Sequence, residues 1–94
     1  MFAVLGHAEI DAGRVDEAQA ILEDRLLPQV KQMPGFVSGT WVRDGDNSRG
    51  RSMVLFEDEA SALGAAEQAR GMAPPDGAPI KFRGFDVVEV VAQI

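Results

Sequence analysis

The segments of this chain that can form β-strands are apolar on both of their alternating sides, and no other feature narrows the fold as far. In the run from Phe2 to Ile10, the two-residue period of a strand sets Phe2, Val4, Ala8 and Ile10 on one side and Ala3, Leu5 and His7 on the other. The run Arg51 to Glu57 sets Val54 and Phe56 opposite Met53 and Leu55, and the C-terminal run Phe85 to Ile94 sets Val87 and Val91 opposite Val88, Val90 and Ala92. An antiparallel sheet in a monomer commonly keeps one wet face. Neither side qualifies here, so helices can cover one face and something else must cover the other. Burying about 600 Å² of it at roughly 25 cal/mol per Å² contributes on the order of 15 kcal/mol of gross transfer free energy per chain, against association costs of several. The expectation is a two-fold homodimer in which two open sheet faces meet.

Helical patterns lie between these runs. From Arg14 to Met33, the residues Val15, Ala18, Leu22, Leu26 and Val30 recur at three- and four-residue steps, and Ile21 and Leu27 widen the stripe. Asp16 and Glu17 in the first turn and Lys31 in the last complement the helix dipole. Pro28 lacks an N–H and predicts a kink or break, and Met33-Pro34-Gly35 predicts the stop. Phe36 to Arg43 and Arg51 to Glu57 flank the turn formers Asp44 to Gly50, which predicts a hairpin. Asp58 is the expected N-cap of a second helix, Glu59 to Arg70, with a small-residue stripe of Ala60, Leu63, Ala66 and Ala69 and a stop at Gly71. The Pro- and Gly-rich stretch Met72 to Gly84 predicts a long loop of the kind that covers a pocket, and Phe85 to Ile94 predicts the last strand. The order β-α-β-β-α-β predicts an α+β, ferredoxin-like fold with a four-stranded antiparallel sheet and both helices on one face.

The 94 residues predict one domain. Fifteen acids against nine bases, a net charge of −6, argue against a nucleic-acid or anionic-membrane surface, both of which need clustered Lys and Arg. The absence of cysteine removes disulfides, a thiolate nucleophile and Cys-based metal sites. No stretch reaches the roughly 18 apolar residues of a membrane span, and Met1-Phe2-Ala3-Val4-Leu5 has no basic leader region, so a cytoplasmic protein is expected.

Leu27-Pro28 with Met33-Pro34-Gly35-Phe36 at the helix exit, Trp41-Val42-Arg43-Asp44 in the hairpin and Phe56-Glu57-Asp58-Glu59-Ala60 at the second helix entry resemble the dimeric α/β-barrel superfamily. More narrowly, they resemble domains of the antibiotic-biosynthesis-monooxygenase type. The resemblance spans nearly the whole chain, but these motifs are structural punctuation and report fold better than activity. It implies two subunits joining their sheets into a barrel, with a pocket between each sheet and its helices. Members include cofactor-free monooxygenases of polycyclic phenols, haem-degrading enzymes and isomerases. His7 falls close to where the haem-degrading members place a substrate-contacting asparagine. Those enzymes also need a histidine on the second helix as iron ligand and use a helix tryptophan. No histidine follows Glu59 here, and the comparable stretch reads Ala62-Leu63-Gly64-Ala65-Ala66, so haem degradation is disfavoured.

His7 is the only histidine, and histidine is the side chain suited to proton transfer near neutral pH, so it is the candidate catalytic base; the competing assignment is an imidazole hydrogen-bonded within the sheet. Trp41, the sole tryptophan, either stacks on a planar ligand or serves core or interface. Ser38, Thr40 and Arg43 complete the candidate substrate-binding set. There is no tyrosine, and the only asparagine, Asn47, falls in the hairpin loop. Glu9 and Glu89 are expected to be solvated or paired with Arg51, and Arg43, Arg49 and Arg51 to form a salt-bridged patch with Asp44 and Asp46. The acidic residues are too dispersed for a hard-metal cage, and no phosphate loop, nucleophile elbow or zinc spacing occurs, so neither cofactor nor metal is expected. The functional expectation is a homodimer that binds a hydrophobic or aromatic small molecule, either as a cofactor-independent monooxygenase or as a non-catalytic binding or structural dimer.

Overall fold

The computed structural model describes residues 1–94. The first apolar run forms β1 (Phe2–Ile10), and Asp11 then accepts a hydrogen bond from the Gly13 N–H at 3.0 Å, turning the chain into a short 3-10 turn, Ala12–Arg14. The periodic segment that follows is one helical arm in three parts: α1 (Val15–Ile21), a π-helical turn (Leu22–Leu26) and α2 (Leu27–Lys31). The π turn lies immediately ahead of Pro28. A regular helix would ask Pro28 for an N–H it does not have; instead the Leu27 N–H donates five residues back, to Leu22, and Pro28 occupies the first turn of α2, where the missing donor costs little. The proline is thus absorbed by a change of helical winding.

Gly35, with φ +75°, reverses the chain into β2 (Phe36–Arg43), which pairs with β3 (Arg49–Phe56). The strand β3 begins two residues earlier than predicted, leaving Asp44 to Ser48 as the turn. Asp58 caps α3 (Glu59–Arg70), accepting from the Ser61 N–H at 2.8 Å, and that bond holds its carboxyl below the usual range. The helix ends at Gly71 without a left-handed residue, since φ there is −78°.

The last strand departs most from expectation. β4 is Ile80–Glu89, so the preceding loop is only Met72 to Pro79, and Val90 to Ile94 lie beyond the strand. A register shift opposite His7 and Ala8 places Arg83 as an extra residue beside Gly84. A β-bulge accommodates this, and the same glycine that reads as loop punctuation sits inside a strand.

The sheet order is β2-β3-β1-β4, antiparallel throughout, with the helices on one face. This is the ferredoxin-like arrangement. Val4, Val54 and Phe56 from the sheet meet Met33 and Ala62, Ala65 and Ala66 of α3. The buried stripe of α3 is therefore Ala62, Ala65 and Ala66, whereas Ala60 and Leu63, expected inside, face solvent. Alanine faces inward because α3 lies directly on β4, β1 and β3, and bulk at its inner positions would lift it away. On the opposite sheet face, Met53 and Val42 remain 47% and 55% accessible. No helix is long and apolar enough to cross a membrane.

Candidate functional site

A partly open cavity of about 560 Å³ separates the helical arm from the sheet. The sheet beneath it carries small residues, and the side chains of Ser52, Phe85, Trp41 and Ile10 lean over its glycines. Pleat alternation and register put Gly6 and Ala8 of β1, Gly50 and Ser52 of β3 and Gly39 of β2 on the helix-facing side. The arm answers with Leu22, Leu26 and Val30, which are only half-buried because they look into space rather than onto large residues. At Gly39 the vacancy has a defined use: an added Cβ would lie 2.7 Å from the outer atoms of the Trp41 ring, so the indole folds across the glycine. Phe82 and Phe85 of β4, in edge-on contact at 5.4 Å between centroids, form part of the same wall. The buried end is apolar, with Val4, Val54, Phe56, Met33 and Ala65.

The polar lining residues on the helix-facing side are Arg43, Ser52 and, from the arm, Gln19, together with Asn47 at the tip of the hairpin. Asn47 holds φ +60°, a conformation asparagine tolerates. Its own N–H donates to the Asp44 carbonyl at 2.9 Å, and Asp46 Oδ1 accepts from the Ser48 hydroxyl at 2.7 Å and its N–H at 3.0 Å. Those two bonds hold the Asp46 carboxyl below its ordinary range and tie the loop that carries Asn47.

The expected salt-bridged patch around the hairpin does not form. The ion pairs of the molecule are His7 with Asp86 at 3.4 Å, Arg14 with Glu17 at 2.7 Å, and Arg83 with Glu9. Glu9 thus pairs with the bulge residue Arg83 rather than Arg51, and Arg43 pairs with no carboxylate.

Of the candidate residues, Trp41 and Arg43 come together, two apart on the cavity side of β2. Ser38 and Thr40 alternate with them and face the other way, opposite Leu55 and Met53. His7 borders the cavity through its strand, but its register beside Leu5 and its contact with Asp86 put the imidazole on the open sheet face, 46% exposed. No Asp or Glu lines the cavity, and no cluster of His, Asp and Glu could hold a metal ion. Gln19, Asn47 and Ser52 were not singled out from the sequence as lining residues. For Asn47 a signal existed, since asparagine is the residue that accepts a left-handed hairpin position.

No protein-family model matches the chain, and no curated protein matches it in sequence. Solved structures do match it along its whole length. HapK from Hahella chejuensis superposes with a TM-score of 0.69 at 11% identity, covering 99% of this chain and 95% of that one. The heme-degrader MhuD from Mycobacterium tuberculosis, with two hemes bound in its active site, gives 0.68 at 20% identity over 100% and 99%. A monooxygenase from the gene ActVA-Orf6 of Streptomyces coelicolor, in complex with nanaomycin D, gives 0.65 at 16% over 99% and 89%. The chain therefore shares its ferredoxin-like α+β fold with these structures. More particularly, its fold is that of the antibiotic-biosynthesis-monooxygenase-like domains.

Proposed function

We propose that this protein is a cytoplasmic homodimer whose protomers, each a single domain, bind a hydrophobic or aromatic small molecule between the helical arm and the sheet. One observation carries the reading: a cavity of about 560 Å³, within the range of small-molecule sites, whose walls are mainly apolar and whose polar groups gather around Trp41, Arg43 and Asn47. The ligands of two structural neighbours, nanaomycin D and heme, are large ring systems, which supports a planar occupant.

The reaction proposed for it is cofactor-independent oxygenation. A ring carbon bearing two hydrogens loses a proton, and the resulting carbanion passes electrons to dioxygen. One oxygen atom stays on the ring as a carbonyl and the other leaves as water, so that substrate and O2 give quinone and water in equal amounts. The protein's part is to position the ring, exclude water and stabilise the anion. His7 as the base requires its imidazole to reach the substrate from the far side of β1. The absence of any carboxylate in the cavity favours a second reading, a binding protein without catalysis.

Trp41, as the only tryptophan, reports binding directly. Titration with anthrone is expected to quench its fluorescence saturably, and oxygen uptake in the same sample separates catalysis from binding. Saturable quenching without uptake supports the second reading; no quenching by anthrone or comparable quinols overturns both. His7→Ala tests the base: an unchanged uptake rate removes His7 from the mechanism.

A further inference from the structure

The chain carries fifteen acids against nine bases, yet not one carboxylate borders the cavity between the helical arm and the sheet. Three residues that can carry positive charge do: His7, Arg43 and Arg51. Register turns the side chains of His7 and Arg51, paired across β1 and β3, to the open sheet face, which leaves Arg43 as the formal charge on the cavity side. Arg14 is held by Glu17 and the Gly77 carbonyl, Arg83 by Glu9, and Arg70 donates to the Phe85 carbonyl at 3.2 Å. Arg43 makes no ion pair and no side-chain hydrogen bond. Arg25, Arg49 and Arg51 are likewise without a partner, but of these four only Arg43 turns its side chain to the cavity. Of the two acidic residues in the adjoining turn, Asp46 is engaged by Ser48, and neither lines the cavity. A guanidinium with five donors and no acceptor, at the edge of an apolar cavity in an otherwise acidic molecule, lacks its counter-charge.

We propose that the ligand is an amphipathic anion, in which an apolar ring body lies against Trp41 and an ionised oxygen, carboxylate or phenolate, accepts hydrogen bonds from Arg43. This rests on the assignment of the cavity as a ligand site and narrows it to a charge class. Trp41 and Arg43 are two positions apart on one face of β2, about 7 Å between their backbones, and because the indole leans toward Gly39 the ligand has to extend from the ring, past the Trp41 backbone, to the guanidinium. Asn47 borders the same cavity, and its side-chain amide is available as a second donor. The exposure of Arg43 keeps the ligand's charge near the mouth, where the desolvation cost is low, while the ring goes inward.

The test uses three probes read by Trp41 fluorescence and calorimetry: naphthoate, its methyl ester and naphthol. Wild-type protein is expected to bind naphthoate about tenfold more tightly than the ester, with a preference that falls as salt is added. Arg43→Gln should bring the two affinities within about twofold of each other, chiefly by weakening naphthoate, while leaving the far-ultraviolet circular dichroism unchanged. Naphthol measured across its own ionisation identifies the source of the oxygen: tightening as it ionises extends the class to phenolates, and no tightening restricts it to carboxylates. The proposal is overturned if the ester binds as tightly as naphthoate, or if Arg43→Gln keeps the preference; in both cases the cavity remains a ligand site. If neither naphthoate nor the ester binds, the ligand-site assignment itself falls.

Discussion

At Gly35 the chain leaves the helical arm with φ +75°, and an added Cβ would lie 2.7 Å from Ser61 Cβ at the start of α3. Its carbonyl meanwhile accepts from the Glu57 N–H at 2.9 Å, so this residue joins the arm to the second helix entry. Both the backbone conformation and the close approach exclude a side chain. Gly35→Ala is expected to cost about 1–3 kcal/mol in urea unfolding, and Gly64→Ala, with open space around the site on α3, to gain about 0.5–1 kcal/mol. Asp58 sits at the same junction. Its folded-state pKa is depressed by the Ser61 N–H, so the stabilisation is complete above the unfolded value of 3.8 and is lost as pH falls through the folded value. Thermal melts of wild type should therefore lose more between about pH 5 and pH 2 than those of Asp58→Asn, which caps without titrating. The cap was legible in the sequence because capping is local. The face of His7 was not, because both sides of β1 are apolar and only pairing with β3 and β4 decides between them.

Among the elements, the bounds of β1, β2 and α3 were legible to the residue, whereas the buried face of α3 and the extent of β4 were not. In α3 the pattern contains five alanines and one leucine, so several stripes fit, and ranking by hydrophobicity selects Leu63 when closeness to the sheet selects Ala62, Ala65 and Ala66. In β4 the bulge at Arg83 and Gly84 breaks the two-residue period, so the strand's first half resembles loop. A pocket between sheet and helices was expected from the resemblance, but the residues that form it were not legible, for a related reason. It arises from Gly6, Gly39 and Gly50 on three strands meeting the half-buried face of the arm, a coincidence that exists only after folding. Because that space is empty rather than packed, adding volume there should be cheap. Leu26→Phe is expected to shift the melting temperature by no more than a few degrees while weakening naphthoate binding at least about tenfold. A large loss of stability with binding retained would show instead that the arm packs tightly on the sheet.

For the whole molecule, the unanswered surface is the sheet face away from the helices. Met53, Val42 and Val88 are 47%, 55% and 37% accessible there, with Leu5 half-buried between them. Charged residues occupy one half of this face, with the pairs His7–Asp86 and Glu9–Arg83 and with Arg51 between His7 and Val42, and the apolar half is formed by Leu5, Met53 and Val88. Covering it with a second copy accounts for an apolar pattern on both sides of β1 and β3 that one sheet and its helices leave half explained. Light scattering at micromolar concentration should give twice the chain mass of 10.1 kDa. Met53→Lys, which would bury an unpaired ammonium between the sheets, should weaken association at least about a hundredfold and return the mass of one chain. Leu63→Lys is the control: Leu63 is 52% accessible on the outer side of α3, remote from that face, and its charge should leave the mass unchanged. A wild-type protein of single-chain mass would mean that water tolerates this face, and the pairing of sheets would have to be abandoned. The cavity would survive that result, since the arm, Trp41 and Arg43 that define it belong to one chain.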